Sequence, residues 1–114
     1  MAEPGAVDHP QLFGELCEEY AATPGVSVPD GGGRGFGSQA LKIDGAIFAM
    51  ISGDRLVVKL PARRVVELVE SSSGQPFDAG KGKPMKEWVG LVGDEPVCRA
   101  LVAEALAFVR SRRR

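Results

Sequence analysis

The residues best suited to chemistry are three lysines and a tryptophan that lie close together in the C-terminal half of the chain. Lys81, Lys83 and Lys86 stand in a stretch that also contains glycine, and Trp88 follows two residues later. Lysines at the tip of a hairpin can follow a phosphate backbone, and a nearby indole can stack on a base. A lysine-rich tip also keeps an exposed hairpin soluble, and Trp88, which alternates with the polar Glu87, would then face the core. The sequence leaves both interpretations open.

Metal-binding and catalytic patterns lack their usual groups in this sequence. It contains one histidine and two cysteines that are far apart, without clustered carboxylates, so we expect no metal and no cofactor. His9 stands at the start of a predicted helix, where a solvent-exposed capping position is expected rather than a catalytic base. The glycine-rich residues 29–38 match neither of the usual phosphate-loop spacings. We therefore expect that the protein is not an enzyme.

Charge is unevenly distributed along a chain whose formal net charge is −1. Residues 1–60 contain 8 acidic and 4 basic residues, whereas residues 61–114 contain 7 acidic and 10 basic residues. This mild asymmetry indicates a polar partner for the C-terminal half. No apolar run approaches the ~20 residues of a membrane span, and the N-terminus lacks the pattern of a secretion signal. We therefore expect no contact with a membrane and a cytoplasmic location.

Two short turns between apolar runs organise the middle of the sequence. Asp44-Gly45 separates two such runs and is the strongest short hairpin signal, because a type I′ turn needs positive φ at both central residues. Ser52-Gly53-Asp54 follows and predicts a three-residue loop with a bulge. The stretch from Ala40 to Leu60 is therefore predicted to form a three-stranded antiparallel meander.

Helical patterns flank this meander. Asp8 and Asp94 are good N-cap residues, and each precedes an apolar stripe of helical spacing. Between these two helices, Pro61 stands at the start of another helix, which ends near Ser73. Two more strands are predicted over residues 75–78 and 87–92, so the order is α-β-β-β-α-β-β-α. This order predicts an α+β, two-layer fold in which helices flank an antiparallel five-stranded sheet. We expect one domain over residues 1–114, with frayed ends at 1–7 and 110–114.

The middle strand of the meander is apolar on both of its predicted faces. Strict alternation places Phe48 and Met50 opposite Ile47, Ala49 and Ile51. A strand that is apolar on both faces must be covered twice. Phe48, Met50 and Val57 are therefore predicted to form a partner surface, most simply in a two-fold dimer. The alternative is that a helix of the same chain covers this side.

A series of short features between Phe36 and Trp88 has a characteristic order. The features are Phe36-Gly37, Asp44-Gly45, Phe48-Ala49, Arg55-Leu56 with Lys59, Pro76-Phe77, Gly80 to Lys83, and Pro84-Met85. In this order they resemble the N-terminal domain of the TfoX/Sxy competence regulators, and they are similar to the related YjbR/MmcQ group of small bacterial proteins. The chain departs from the family pattern over residues 34–38, and the helical domain that follows in full-length regulators is not in this sequence.

The resemblance implies a fold like that of secretion chaperones and implies no catalytic residues. Three functions are consistent with the sequence. The first is a non-catalytic regulatory or adaptor module that acts through protein–protein contacts, with another protein or as a homodimer. The second is weak, sequence-nonspecific nucleic-acid binding through the lysine-glycine loop and the basic C-terminal tail. The third is the binding of a small apolar ligand between the sheet and the helices.

Overall fold

The chain forms one layer of helices against one antiparallel sheet. The computed structural model describes residues 7–28, 40–78 and 85–112. Within them the elements are α1 (His9–Tyr20), β1 (Val26–Ser27), β2 (Ala40–Ile43), β3 (Ala46–Ser52), β4 (Arg55–Lys59), α2 (Ala62–Glu70), β5 (Gly74–Pro76), β6 (Trp88–Leu91) and α3 (Glu95–Arg112). The six described strands lie in the order β1-β2-β3-β4-β6-β5, and every neighbouring pair is antiparallel.

The predicted α+β class is confirmed, whereas the predicted strand count and order need a correction. The described part of the chain contains a sixth strand, β1, which follows α1 directly and pairs with β2. Only two residues of β1 take part in the ladder, which is too short a run for alternation to be visible in the sequence. At the other end, α3 continues to Arg112, beyond the residue at which fraying was predicted.

The predicted helix starts and the first predicted turn agree with the structure. Asp8 caps α1 by accepting a hydrogen bond from the Gln11 amide at 3.0 Å, and Asp94 accepts one from the Val97 amide at 3.2 Å. Asp44 and Gly45 have φ values of 52° and 86°, which is the pattern of a type I′ turn. These local signals therefore fix where the elements begin and where the first hairpin turns.

The second turn is shorter than predicted, and the bulge lies elsewhere. Ser52 pairs with Arg55, so the loop contains only Gly53 and Asp54, and of these two only Gly53 has positive φ. The irregularity falls between β2 and β3, where Leu41 pairs with Ala49 but the next residue, Lys42, pairs with Ile47. Phe48 is thus the extra residue of a β-bulge, which lets it leave the strict alternation of its strand.

The predicted position of Phe48 on the side opposite Ala49 is wrong. Its side chain is 0% exposed within the main core, and its ring meets that of Tyr20 edge-on at 6.0 Å. Phe48 therefore faces the helices together with Ala49 and Ile51, while Ile47 and Met50 point to the other side. The bulge is the physical reason, since one inserted residue resets the alternation on one side of it.

All three helices pack on the same side of the sheet. One hydrophobic cluster contains buried residues of each helix and of one sheet face, and α3 lies between the other two helices. Arg99 of α3 bonds to Glu15 and Glu19 of α1, and Arg64 of α2 bonds to Glu104 of α3. Exposed ion pairs contribute only about 0–1 kcal/mol each, so the apolar cluster holds the layers together. Among the described residues, no helix has the length and apolarity needed to cross a membrane.

The pairing of β4 with β6 ends at Val57 and Gly90. Beyond this pair, two side chains provide hydrogen-bond partners for the backbone groups of Leu56 and Leu91. The Leu56 amide donates to His9 Nδ1 at 2.8 Å, and the Leu91 carbonyl accepts from Arg55 Nη1 at 2.7 Å. His9 is only 7% exposed, so the predicted solvent-exposed position of this residue is wrong. The first residue of α1 is buried because the helix begins directly against the sheet, where it supplies a missing hydrogen-bond acceptor.

Candidate functional site: the open face of the sheet

The sheet face turned away from the helices is the main candidate for function, and we call it the open face. Residues that pair across strands share a face, and positions two apart in a regular strand do too. By this rule the open face consists of Ser27, Ala40, Lys42, Ile47, Met50, Ser52, Arg55, Val57, Lys59, Gln75, Trp88 and Gly90. No helix within the described ranges packs on this side.

The charged side chains of the open face all have the same sign. Lys42, Arg55 and Lys59 lie on β2 and β4, and the described strand residues of this face include no aspartate or glutamate. No ion pair joins these three cations to a carboxylate of the described ranges. The open face is therefore basic, although the chain as a whole has a formal net charge of −1.

Arg55 is fixed across the sheet rather than extended from it. A Cβ atom added to Gly90 would lie 2.9 Å from Arg55 Cδ, so the aliphatic part of Arg55 occupies the space that a side chain on β6 would need. Its guanidinium then reaches the Leu91 carbonyl. Gly90 therefore allows a cation to lie flat on the open face.

The centre of the open face is apolar. Met50, Val57 and Gly90 pair in one row across β3, β4 and β6. Val57 is 1% exposed and Met50 is half-buried. Of the predicted partner-surface residues, Phe48 lies in the core and Val57 is buried within the chain, so the three form no shared exposed patch. Met50 alone keeps accessible surface, and its contact with a partner stays a prediction.

Trp88 lies on the open face and not in the core, to which one of the two interpretations of the sequence assigned it. It pairs with Lys59 and is half-buried outside the main cluster, while its neighbour Val89 is fully buried in that cluster. Lys59 Nζ lies 5.4 Å from the centroid of the indole ring, within the range of a cation–π contact. Lys86 is exposed, two residues before Trp88. Lys81 and Lys83 lie outside the described residues.

A cleft continues the open face at the end of the sheet where α3 finishes. It has a volume of about 370 Å³ and is lined by Ala46, Ile47, Lys59, Trp88, Val109 and Arg112. Arg112 Nη1 donates to both carboxylate oxygens of Glu87, at 2.8 and 3.0 Å. The guanidinium of Arg112 also lies 5.2 Å from the ring centroid of Phe108. The fold thus brings Trp88 next to the basic end of the last helix, which the sequence order separates.

The imidazole of His9 and the thiols of Cys17 and Cys98 are buried or partly buried. His9 uses Nδ1 to accept the Leu56 amide, and burial lowers the pKa of its imidazole, with a smaller contribution from Arg55. Burial raises the pKa of both Cys17 and Cys98, so these thiols lack the environment of a reactive thiolate. Within the described ranges, no group of three or more His, Cys, Asp or Glu side chains is placed to hold a metal ion.

Comparison of the chain with protein-family models, with curated proteins and with solved structures gives no match. The resemblance to the TfoX/Sxy and YjbR/MmcQ groups therefore stays a prediction from short sequence features.

Proposed function

We propose that this protein is a non-catalytic regulatory or adaptor module that binds an acidic protein segment on its open face. The observation that carries this proposal is the charge of that face. Lys42, Arg55 and Lys59 surround an apolar centre, and the described strands place no carboxylate among them. An apolar centre with a charged periphery is the usual arrangement of a protein interface.

The composition of the open face favours binding over catalysis. Catalysis needs a base or nucleophile that can reach a substrate, whereas the imidazole of His9 accepts a backbone hydrogen bond and the two thiols are held in their protonated form by burial. The open face instead offers cations without ion-pair partners in the described ranges. Such cations attract an oppositely charged surface and speed its association.

An acidic partner suits this face better than a second copy of the chain. A two-fold dimer brings the same patch of both subunits together. The cations Lys42, Arg55 and Lys59 of one subunit would then approach those of the other, and like charges in an interface cost free energy. A homodimer, which the sequence also suggested, would therefore need a different surface, whereas a segment rich in aspartate or glutamate complements the open face directly.

Weak nucleic-acid binding is a second candidate because Trp88 lies on the open face. The indole is near Lys59 and Arg112, so a base could stack where phosphates meet cations. Two features make this candidate weaker. One face of the indole already carries the Lys59 ammonium, and Arg112 is paired with Glu87. We expect no affinity tighter than about micromolar for such contacts.

The proposal is tested by titrating the isotope-labelled protein with a short peptide of alternating glutamate and valine, while amide resonances are followed by NMR. The largest shifts are expected at Lys42, Met50 and Lys59, and Lys42→Glu should weaken binding at least about fivefold because it removes an attraction and adds a repulsion. Arg63→Glu is the matched control, since it makes the same charge change at an exposed position of α2.

Equal losses in Lys42→Glu and Arg63→Glu would overturn the proposal, because only net charge would then matter. A parallel titration with single-stranded oligothymidylate addresses the second candidate. If the oligonucleotide shifts Trp88 and binds more tightly than the peptide, with an affinity that falls steeply with salt, nucleic acid replaces the acidic protein as the partner.

A further inference from the structure

We propose that the cleft at the end of the sheet binds a monocarboxylate with an apolar body, and we call it the carboxylate cleft. The ligand would be a small organic acid or the C-terminal residue of a partner chain, which present the same chemistry. The inference goes beyond the proposed function, which concerns the acidic segment on the open face; the two share Lys59 but otherwise involve different residues. It rests on the lining of the cleft and on its local charge.

The walls of the carboxylate cleft are suited to an apolar body. Ala46, Ile47 and Val109 supply aliphatic surface, and Trp88 supplies an aromatic wall. A volume of about 370 Å³ lies in the range of small-molecule sites. The accessible lining is at least as polar as it is apolar, so a ligand that fits needs a polar group as well as an apolar body. A small inorganic anion would leave these apolar walls in contact with water.

The charge of the cleft matches one negative charge. Its described lining contains two cations, Lys59 and Arg112. Arg112 is neutralised by Glu87, to which it donates at 2.8 and 3.0 Å, whereas Lys59 forms no ion pair with a carboxylate of the described ranges. Among the described lining residues there is therefore one uncompensated positive charge, which complements a carboxylate better than a doubly charged phosphate group.

The ammonium group of Lys59 is already positioned at the wall of the cleft, where it could pair with the carboxylate of a ligand. Its ammonium lies 5.4 Å from the indole centroid of Trp88, and both residues line the cleft. A carboxylate that enters can pair with Lys59 without breaking an ion pair to a described residue, and its apolar body can cover the aliphatic wall. Pre-positioning of this kind lowers the entropy that binding must spend on ordering a lysine side chain.

Trp88 provides a direct measurement because it is the only tryptophan in the chain. Its fluorescence should change and saturate with octanoate, which combines one carboxylate with an apolar body. Three matched probes test the two features separately: octanol lacks the carboxylate, acetate lacks the long apolar body, and inorganic phosphate carries a different anion. None of them should saturate the fluorescence change at the concentrations where octanoate does. Saturation by octanol at the same concentration would overturn the proposal, because the charge would then be irrelevant.

A pair of tripeptides separates the two sources of the ligand. Gly-Gly-Leu with a free terminal carboxylate should bind, and its amidated form should bind at least about tenfold more weakly, because hydrogen bonds to a charged group are lost. If the free peptide binds more tightly than octanoate, the ligand is the terminus of a partner chain. If octanoate binds more tightly, the ligand is a small organic acid. Failure of both to bind would refute the site.

Substitutions of Lys59 and Lys42 test whether octanoate binding depends on where the cation lies. Lys59→Gln should weaken octanoate binding about tenfold, and Lys59→Arg should retain most of it, because the cation is preserved. Lys42→Gln removes a cation from β2, outside the cleft lining, and should leave octanoate binding unchanged. Equal weakening in Lys42→Gln and Lys59→Gln would contradict a local site. Because Lys42→Glu tests the acidic segment separately, the two proposals can fail independently.

Discussion

Replacing His9 with asparagine should make the protein more resistant to mild acid while leaving its stability near neutral pH almost unchanged. The Oδ1 atom of asparagine can lie where His9 Nδ1 now accepts the Leu56 amide at 2.8 Å, but it does not titrate. His9→Leu fills the space without an acceptor. An unsatisfied buried amide costs about 1–3 kcal/mol, so His9→Leu should be less stable than His9→Asn by that amount at every pH.

The direction of the pH effect follows from the lowered pKa of His9. In the folded protein this pKa lies below its ordinary value of 6.5, so the folded state binds fewer protons than the unfolded state in the interval between the two values. The stability that neutral His9 contributes is complete above pH 6.5 and is lost as the pH falls from there to the folded-state pKa. Each pH unit within that interval removes about 1.4 kcal/mol.

The surroundings of His9 explain why protonation is unfavourable. Burial is the largest cause, and the positive charge of Arg55 adds to it, while Asp54 and Asp8 act in the opposite direction. The imidazole also belongs to the first residue of α1, where the positive end of the helix dipole disfavours a cation. A proton on Nδ1 would place two donors against each other at the Leu56 amide.

The assay is urea unfolding followed by Trp88 fluorescence, at pH values from 7.5 down to 5. The chain has one histidine, and unperturbed carboxylates titrate near pH 4, so the upper part of this range isolates His9. The wild-type free energy of unfolding should fall below pH 6.5, and that of His9→Asn should stay flat until the carboxylates begin to titrate. Parallel curves for the two proteins would refute the role of His9 as a buried neutral acceptor.

Two further predictions concern the hairpins. Gly45→Val should lower the free energy of unfolding by about 1–3 kcal/mol, because the φ of 86° at this position strains a β-branched residue. A Cβ atom there meets nothing within 4 Å, so backbone strain is the cause of the loss. An unchanged melting temperature would contradict the turn assignment. Phe48→Ala should cost about 3–5 kcal/mol in urea unfolding, whereas half-buried Met50→Ala should cost at most about 2 kcal/mol. Similar losses at both positions would contradict the opposite faces that the bulge gives them.

The elements of this fold could be predicted because their signals are local. Asp8 and Asp94 mark helix starts by accepting hydrogen bonds from amides three residues later, and Asp44-Gly45 marks a turn that few other residue pairs can adopt. Each signal is complete within a few residues of sequence. The α+β class and the approximate positions of five of the six described strands therefore followed without any knowledge of tertiary contacts.

The environment of His9 could not be predicted because its partner is distant in sequence. The Leu56 amide lies 47 residues away, and it needs a side-chain acceptor only because β4 and β6 separate there. Trp88 presents the same difficulty. Its alternation with Glu87 suggested an inward side chain. Val89 faces the core, however, because it pairs with Val58 and Pro76. Since adjacent residues of a strand point to opposite faces, Trp88 must then point to the open face.

The bulge at Phe48 determines which side chains the open face presents. In a regular strand Phe48 and Met50 would share the open face, and the surface would present a large apolar patch that suits a second copy of the chain. With Phe48 turned into the core, Met50 is left beside Val57, which is itself buried. Half-buried Met50 then shares the face with the equally half-buried Lys42 and Lys59. One extra residue in β3 thus reduces the apolar surface of the open face, and this is why we propose an acidic partner there rather than a like chain.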